Sequence, residues 1–193
     1  MHDFASGQLR INGGHRMYPI LRTLIELAVH RKSAPLPLDG VHVSYHTCLP
    51  WDLDVWMELN NGRTLTIYDL GRFPLSMRTG LWAALQANRW GMTMAGVSVR
   101  YRRRIRMFEK IKMTSRAVYM DDKFVYLEQA MWRKDGDCAN HALYRSAFTS
   151  REGIVAPARV LEAMGQQNPF PTAPDWVAAW IAADAQRPWP PEL

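Results

Sequence analysis

Along the chain the apolar positions keep a helical period, switch to a strand period, and return to a helical one. Tyr18 to Val29 is apolar, with Arg22 and Glu26 four apart on one helix face and Pro19 suited to a first turn. Lys32 to Gly40 (KSAPLPLDG) is a proline-containing linker. Val41, Val43 and Tyr45 then alternate with His42, Ser44 and His46, which predicts a half-buried strand. The turn residues of LPWDLDVWMELNNG follow. Asn60 or Asn61 is placed to cap a helix start, because an Asn side chain accepts from the free N–H groups of a first turn. Arg63 to about Arg89 has helical character, with Pro74 and Gly80 predicted to divide it in two.

From Met92 the period becomes 2. Val97, Val99, Tyr101, Ile105 and Met107 share one face of a predicted strand, and Ser98, Arg100, Arg102, Arg104 and Arg106 share the other; Arg103 breaks the pattern. Further strands are expected over 110–120, 123–132 and 138–150, joined at Asp121-Asp122 and around Asp135-Gly136, where an Asp-Gly pair suits a φ > 0 turn. These four strands predict an antiparallel meander. A short helix, Pro157 to Met164, ends at Gly165, which suits a left-handed cap. Trp176, Val177, Trp180 and Ile181 recur at helical spacing and predict a last helix docking by its Trp face. One long helix laid across a five-stranded, mostly antiparallel sheet is an α+β solution, the hotdog arrangement. The predicted division is 1–40 as N-terminal helical extension and linker, 41–165 as the hotdog domain, and 166–193 as C-terminal linker and docking helix.

The length, 193 residues, fits one domain with a buried core, and 48% hydrophobic with 22% charged residues excludes a disordered chain. Two cysteines, without C-x-x-C spacing, support neither a disulfide scaffold nor a structural zinc site, so a reducing, cytoplasmic setting is expected. The first apolar run is too short to span a membrane and no small-residue cleavage site follows it. Core packing, interface packing and peripheral membrane contact remain open for that helix. His42 and His46 lack further ligands at metal-binding spacing, and neither a G-x-x-x-x-G-K loop nor a G-x-S-x-G elbow occurs, so no metal or cofactor is expected.

The net charge of +6 is local. Between Arg100 and Arg116 eight basic residues face one acid, so that stretch carries +7 and the remainder sums to −1. Arginine binds phosphate through bidentate charge-assisted bonds. A phosphorylated small ligand, a solvated or interface strand face, and nucleic acid compete for the stripe; sparse aromatics and the lack of a nucleic-acid-binding motif make nucleic acid the weakest of the three.

The segment DLDVWMELNNGRTLTIYDLGR (Asp52 to Arg72) resembles the signature of hotdog acyl-CoA thioesterases of the 4-hydroxybenzoyl-CoA type, and within them the thioesterase superfamily member six group. The likeness continues through VRYRRRIRMFEKIKMTSRAVYMDDKFVYLEQAMWRKDG and spans about Val41 to Ala183. Asp54, Asn60, Asn61, Arg63 and Arg72 match; Glu58 stands where the family usually has His, and Thr64 where it usually has Tyr. The resemblance implies Asp54 as the catalytic carboxylate, base or nucleophile, and backbone amides from Glu58 to Asn61 as the oxyanion hole. It also implies a homodimer or dimer of dimers, an acyl-CoA substrate with coenzyme A as part of it, and no separate cofactor. Glu58 either forms an acid/base pair with Asp54 or opposes the oxyanion. The latter gives the alternative of a weak or silent hotdog that binds acyl thioesters or a protein partner. Arg63, Arg100, Arg102 and Arg104 are the candidate substrate-binding residues, and Met77, Trp82 and Trp90 are candidates for an acyl tunnel.

Overall fold

The computed structural model describes residues 19–191. Its elements are α1 (Ile20–His30), β1 (His42–Thr47), a 3-10 turn (Pro50–Asp52), α2 (Asn61–Arg78), α3 (Leu81–Ala87) and β2 (Gly91–Tyr101). They continue with β3 (Lys110–Met120), β4 (Phe124–Trp132), β5 (Cys138–Ser150), β6 (Gly153–Val155), α4 (Pro157–Met164) and α5 (Asp175–Ala185). The sheet order is β1-β3-β4-β5-β2, antiparallel at every pairing, with β6 added beside β5. The α+β arrangement of one long helix on a five-stranded antiparallel path is as expected, and β6 makes a sixth strand.

The predicted meander holds for β3, β4 and β5 alone. β2 pairs with β5 and forms an outer edge, while β1 flanks β3 at the other. Residues 102–109 therefore cannot form a hairpin. They carry the chain past the start of β5, where the Arg102 and Arg103 amides both donate to the Ala139 carbonyl.

The predicted break at Pro74 does not occur; α2 runs unbroken to Arg78, with Pro74 and Leu75 buried. Burial of that turn outweighs the hydrogen bond that a proline cannot donate to Leu70. The division falls at Gly80, whose φ of 80° is a conformation glycine adopts without strain. α2 packs Ile67, Tyr68 and Leu70 against Ile111, Met113 and Met131, all fully or almost fully buried. Gly71 lets the helix backbone approach the sheet closely: a Cβ there would stand 2.4 Å from Ser115 Oγ and 2.7 Å from Met113 Sδ. Polar ties exploit that approach. Gln129 Nε2 donates to the Tyr68 carbonyl at 2.9 Å and to Ser115 Oγ at 2.7 Å, and Arg72 Nη1 donates to Gln129 Oε1 at 3.0 Å.

α1 and β1 meet through polar groups. On β1 the buried side chains are His42, Ser44 and His46, whereas Tyr45 is exposed. Arg22 does not pair with Glu26 as the spacing suggests; it reaches Asp52, while Glu26 lies 3.5 Å from both His30 and His46. Burial, reinforced by neighbouring cations, lowers the His42 pKa to about 4 and that of His46 to about 3, so both imidazoles are neutral at pH 7.

α5 covers part of the outer sheet face. It docks by the predicted face: Val177 is fully buried beside Val118, Tyr126 and Leu143, and Trp180 and Ile181 pack against them, while Trp176 remains 43% exposed. Cys48 and Cys138 are both free thiols.

Candidate active site

After β1 the chain makes the Pro50–Asp52 turn and then a tight loop closed by an antiparallel bridge between Leu53 and Leu59. At the tip Met57 takes φ 59°, and the Asp54 carboxylate accepts the Trp56 amide at 2.8 Å and the Glu58 amide at 3.4 Å through Oδ1. Asp54 thus braces the loop from within, as a short acceptor side chain does in an Asx turn. Residues 105–106 run alongside: the Leu59 amide donates to Ile105 O at 2.8 Å, and Glu58 bridges to Arg106.

Asp52 holds the base of this loop. Its carboxylate is fully buried and accepts Arg22 Nη1 and the Leu49 amide on Oδ2, at 2.7 and 3.0 Å, and Arg63 Nε on Oδ1 at 2.7 Å. Its carbonyl accepts the Asn60 amide. One carboxylate therefore ties together α1, the loop and the first turn of α2. Arg63, expected to bind substrate, is committed to this structural pair.

Asn60 is the N-cap of α2, accepting the Arg63 amide at 3.0 Å, and Asn61 opens the helix. The first-turn amides of Asn61 and Gly62 have no protein acceptor among the described residues, and they sit at the positive end of an 18-residue helix. Beside them is a cavity of about 220 Å³ lined by Glu58, Asn61, Thr64, Tyr101, Arg102 and Arg104, among others. Glu58, not Asp54, is the carboxylate in its wall. Arg104 Nε lies 2.9 Å from Glu58 Oε2 as an ion pair rather than an aligned hydrogen bond. Tyr101 donates its hydroxyl to the Asn61 carbonyl at 3.2 Å, and burial raises its pKa, keeping the phenol protonated.

The arginine stripe is divided. β2 ends at Tyr101, so Arg102 and Arg104 lie on the crossing segment at the cavity, while Arg100 stays in the strand. Opposite His141 in the register, Arg100 shares an outer-face cleft with Glu128, Trp176 and Trp180, away from Glu58. Arg103 pairs with Asp137. The alternation failed as a strand signal because the backbone of 102–106 is used by Ala139 and the Glu58 loop instead of by a neighbouring strand. Residue type alone allows Asp52 a role in capping this turn; sequence reasoning missed its pairing with Arg22 and Arg63, and Tyr101 as a site residue. A second cavity of about 550 Å³, lined by Phe73, Trp82, Trp90, Met92 and Met94 among others, lies farther along the α2–β2 side. It includes Trp82 and Trp90 of the expected tunnel but not Met77. Among the described residues no group of three or more His, Cys, Asp or Glu side chains is placed to hold a metal.

The sequence model of the thioesterase-like superfamily matches residues 48–181, more than half of the chain and the whole of the loop and cavity just described. The chain belongs to the thioesterase-like superfamily. Within it, the chain is 33% identical over 136 residues to Protein THEM6 of Xenopus laevis, a match covering 69% of this chain and 63% of that relative. It is 32% identical to Protein THEM6 of Danio rerio over 162 residues, 82% of this chain and 78% of the relative. The chain thus matches slightly under two thirds of the Xenopus protein's length. Among solved structures the fold is shared with the probable thioesterase YbaW of Escherichia coli, at 17% identity and a TM-score of 0.60, covering 64% of this chain and 96% of that one. It is shared also with protein SAV2348 of Staphylococcus aureus, solved in complex with CoA, at 11% identity and a TM-score of 0.57, covering 75% and 96%. The structural likenesses establish the hotdog fold of this superfamily member.

Proposed function

We propose that this superfamily member hydrolyses acyl-CoA thioesters to free acid and coenzyme A. The observation that carries the reading is that Glu58 and Asn61, the residue whose unpartnered amide opens α2 next to that of Gly62, line one cavity. Glu58 takes a proton from water as its oxygen attacks the thioester carbonyl; the Asn61 and Gly62 amides hold the developing oxyanion; the C–S bond breaks and the sulfur leaves with the returned proton. Arg102, without an ion pair among the described residues, faces the same cavity and suits a coenzyme A phosphate. The aromatic cavity along α2 suits an acyl chain. A second reading, binding without turnover, is favoured by the Arg104 counter-ion that occupies Glu58.

Steady-state assays on short-, medium- and long-chain acyl-CoAs separate the two. Hydrolysis above background is expected, with Arg102→Ala raising KM about tenfold, the scale of one charge-assisted phosphate contact. Arg100→Ala, on the outer face, leaves KM unchanged. Absence of turnover at every chain length discards the hydrolase and leaves the binding protein.

We also infer a homodimer closed through β2. This 11-residue edge strand has no partner on its outer side among the described residues, and it exposes Met94, Val97 and Tyr101. A long unpaired edge of this kind is a template for pairing. Sedimentation equilibrium should then read twice the 22.2 kDa chain mass, and a monomer at micromolar concentration contradicts the inference.

A further inference from the structure

α1 is inverted. Its half-buried side chains are Arg22, Thr23, Glu26, Leu27 and His30, of which Arg22, Glu26 and His30 meet Asp52, His46 and His42, and its outward ones are apolar. Across residues 20–32 the exposed positions are Ile20, Leu21, Leu24, Ile25, Ala28, Val29, Arg31 and Lys32. Every one is aliphatic or basic. The five large aliphatics are 47–72% exposed, and Arg31 and Lys32 have no ion-pair partner among the described residues. Further apolar side chains are exposed on the loop to which α1 is tied. Arg22 fastens α1 to Asp52, and on either side of that anchor in the chain Trp51 is 64% exposed, Val55 88%, Trp56 77% and Met57 58%.

A water-facing helix normally buries its apolar stripe against the body. Here the inward polar groups have specific partners, so rotating the helix to hide its aliphatics would strand Arg22 and Glu26 and leave the Asp52 carboxylate one cation short. The orientation is therefore fixed by the structure, and no described residue covers the exposed stripe. A second copy of the chain is a poor complement: it brings the same cations and no acid to answer Arg31 and Lys32. A dimer closed through β2 leaves the stripe open as well, because α1 lies against β1 at the opposite side of the sheet. An apolar stripe with tryptophans beside it and a basic end fits a lipid surface of negative charge.

We propose that the outward face of α1, with Trp51 and the Val55–Met57 tip, docks the protein on anionic bilayers. The helix lies in the interface and does not span; no helix among the described residues is long and apolar enough to cross a membrane. Because α1 is tied through Asp52 to the loop carrying Glu58, docking holds the cavity at a set orientation to the bilayer. The proposal stands on α1 alone and survives if the hydrolase reading fails.

The test is sedimentation of the full chain with sucrose-loaded vesicles of phosphatidylcholine alone or with about 30% phosphatidylserine. Binding to the anionic vesicles is expected to be at least about tenfold tighter and to weaken with added salt. Leu21→Glu with Leu24→Glu removes it by at least about tenfold at unchanged melting temperature, since both side chains already face water. Arg31→Glu with Lys32→Glu removes the preference for phosphatidylserine. The proposal is overturned if wild type fails to pellet with anionic vesicles, binds both compositions equally, or binds undiminished with the two leucines replaced. It is overturned equally if the leucine variant lowers the sedimentation mass, which would make a second copy the cover.

Discussion

Glu58→Gln lowers kcat on acyl-CoA by about a hundredfold or more with KM little changed, the scale lost with a general base. The substitution keeps the shape of the side chain and its place in the cavity wall but removes the site that takes a proton. Asp54→Asn is expected to cost much less, because Asn retains the oxygen that accepts the Trp56 and Glu58 amides and so keeps the loop closed. Steady-state kinetics of the two variants side by side decide the matter. If Asp54→Asn abolishes turnover and Glu58→Gln leaves it intact, the carboxylate role belongs to Asp54, as the family pattern implies, and Glu58 is the counter-ion of Arg104. A measured loss confined to KM in Glu58→Gln would likewise remove it as base.

Asp52→Ala is expected to destabilise the fold by about 3–5 kcal/mol, the cost of breaking a buried pair and abandoning its partners. Here two guanidiniums lose their shared carboxylate, and the Leu49 amide loses its acceptor, inside a site where Asp52 has no exposed surface. For a domain of this size that corresponds to a melting point lower by about 10 °C. Exposed pairs set the contrast. Arg103→Ala, which breaks a pair with both side chains about half exposed, should shift stability by under about 1 kcal/mol. Equilibrium denaturation of the two variants compares them directly, and an Asp52→Ala change as small as the Arg103→Ala change refutes the anchoring role.

The elements with long, uninterrupted periodicity were legible in the sequence. β3 alternates because one of its faces is exposed over much of its length, β4 and β5 run more nearly apolar because both faces are covered, and the Asp135-Gly136 turn does occur, with Gly136 at φ 91°. Asn60 is the cap its chemistry suggested. What was not legible depends on tertiary partners. Pro74 is a local helix breaker whose effect is outweighed by burial. The alternation from Val97 to Met107 continues past Tyr101 as a pattern, but the backbone finds its partners in Ala139 and the Glu58 loop. The site showed the same division. The turn, the cap and the pair of carboxylates could be found by residue type; their allotment, with Asp52 as anchor, Asp54 as brace and Glu58 in the cavity wall, follows from which neighbours reach them. Arg63 and Arg100 carried the right charge for a phosphate and stand elsewhere because a carboxylate and a strand register place them there.

The two edges of the sheet are unequal, and this bears on how the chain can assemble. The β1 edge is six residues long, and Arg22 already takes the carbonyl of Thr47; the β2 edge is eleven residues long and has no strand partner on its outer side among the described residues. Antiparallel pairing of β2 with its own copy is self-complementary, so it generates a two-fold axis and consumes the long edge of both chains at once. The extended sheet then terminates at a short, partly occupied strand on either side. Growth of this kind closes after one step, so a molecule with a bare eleven-residue strand can pair without offering a template for fibrils.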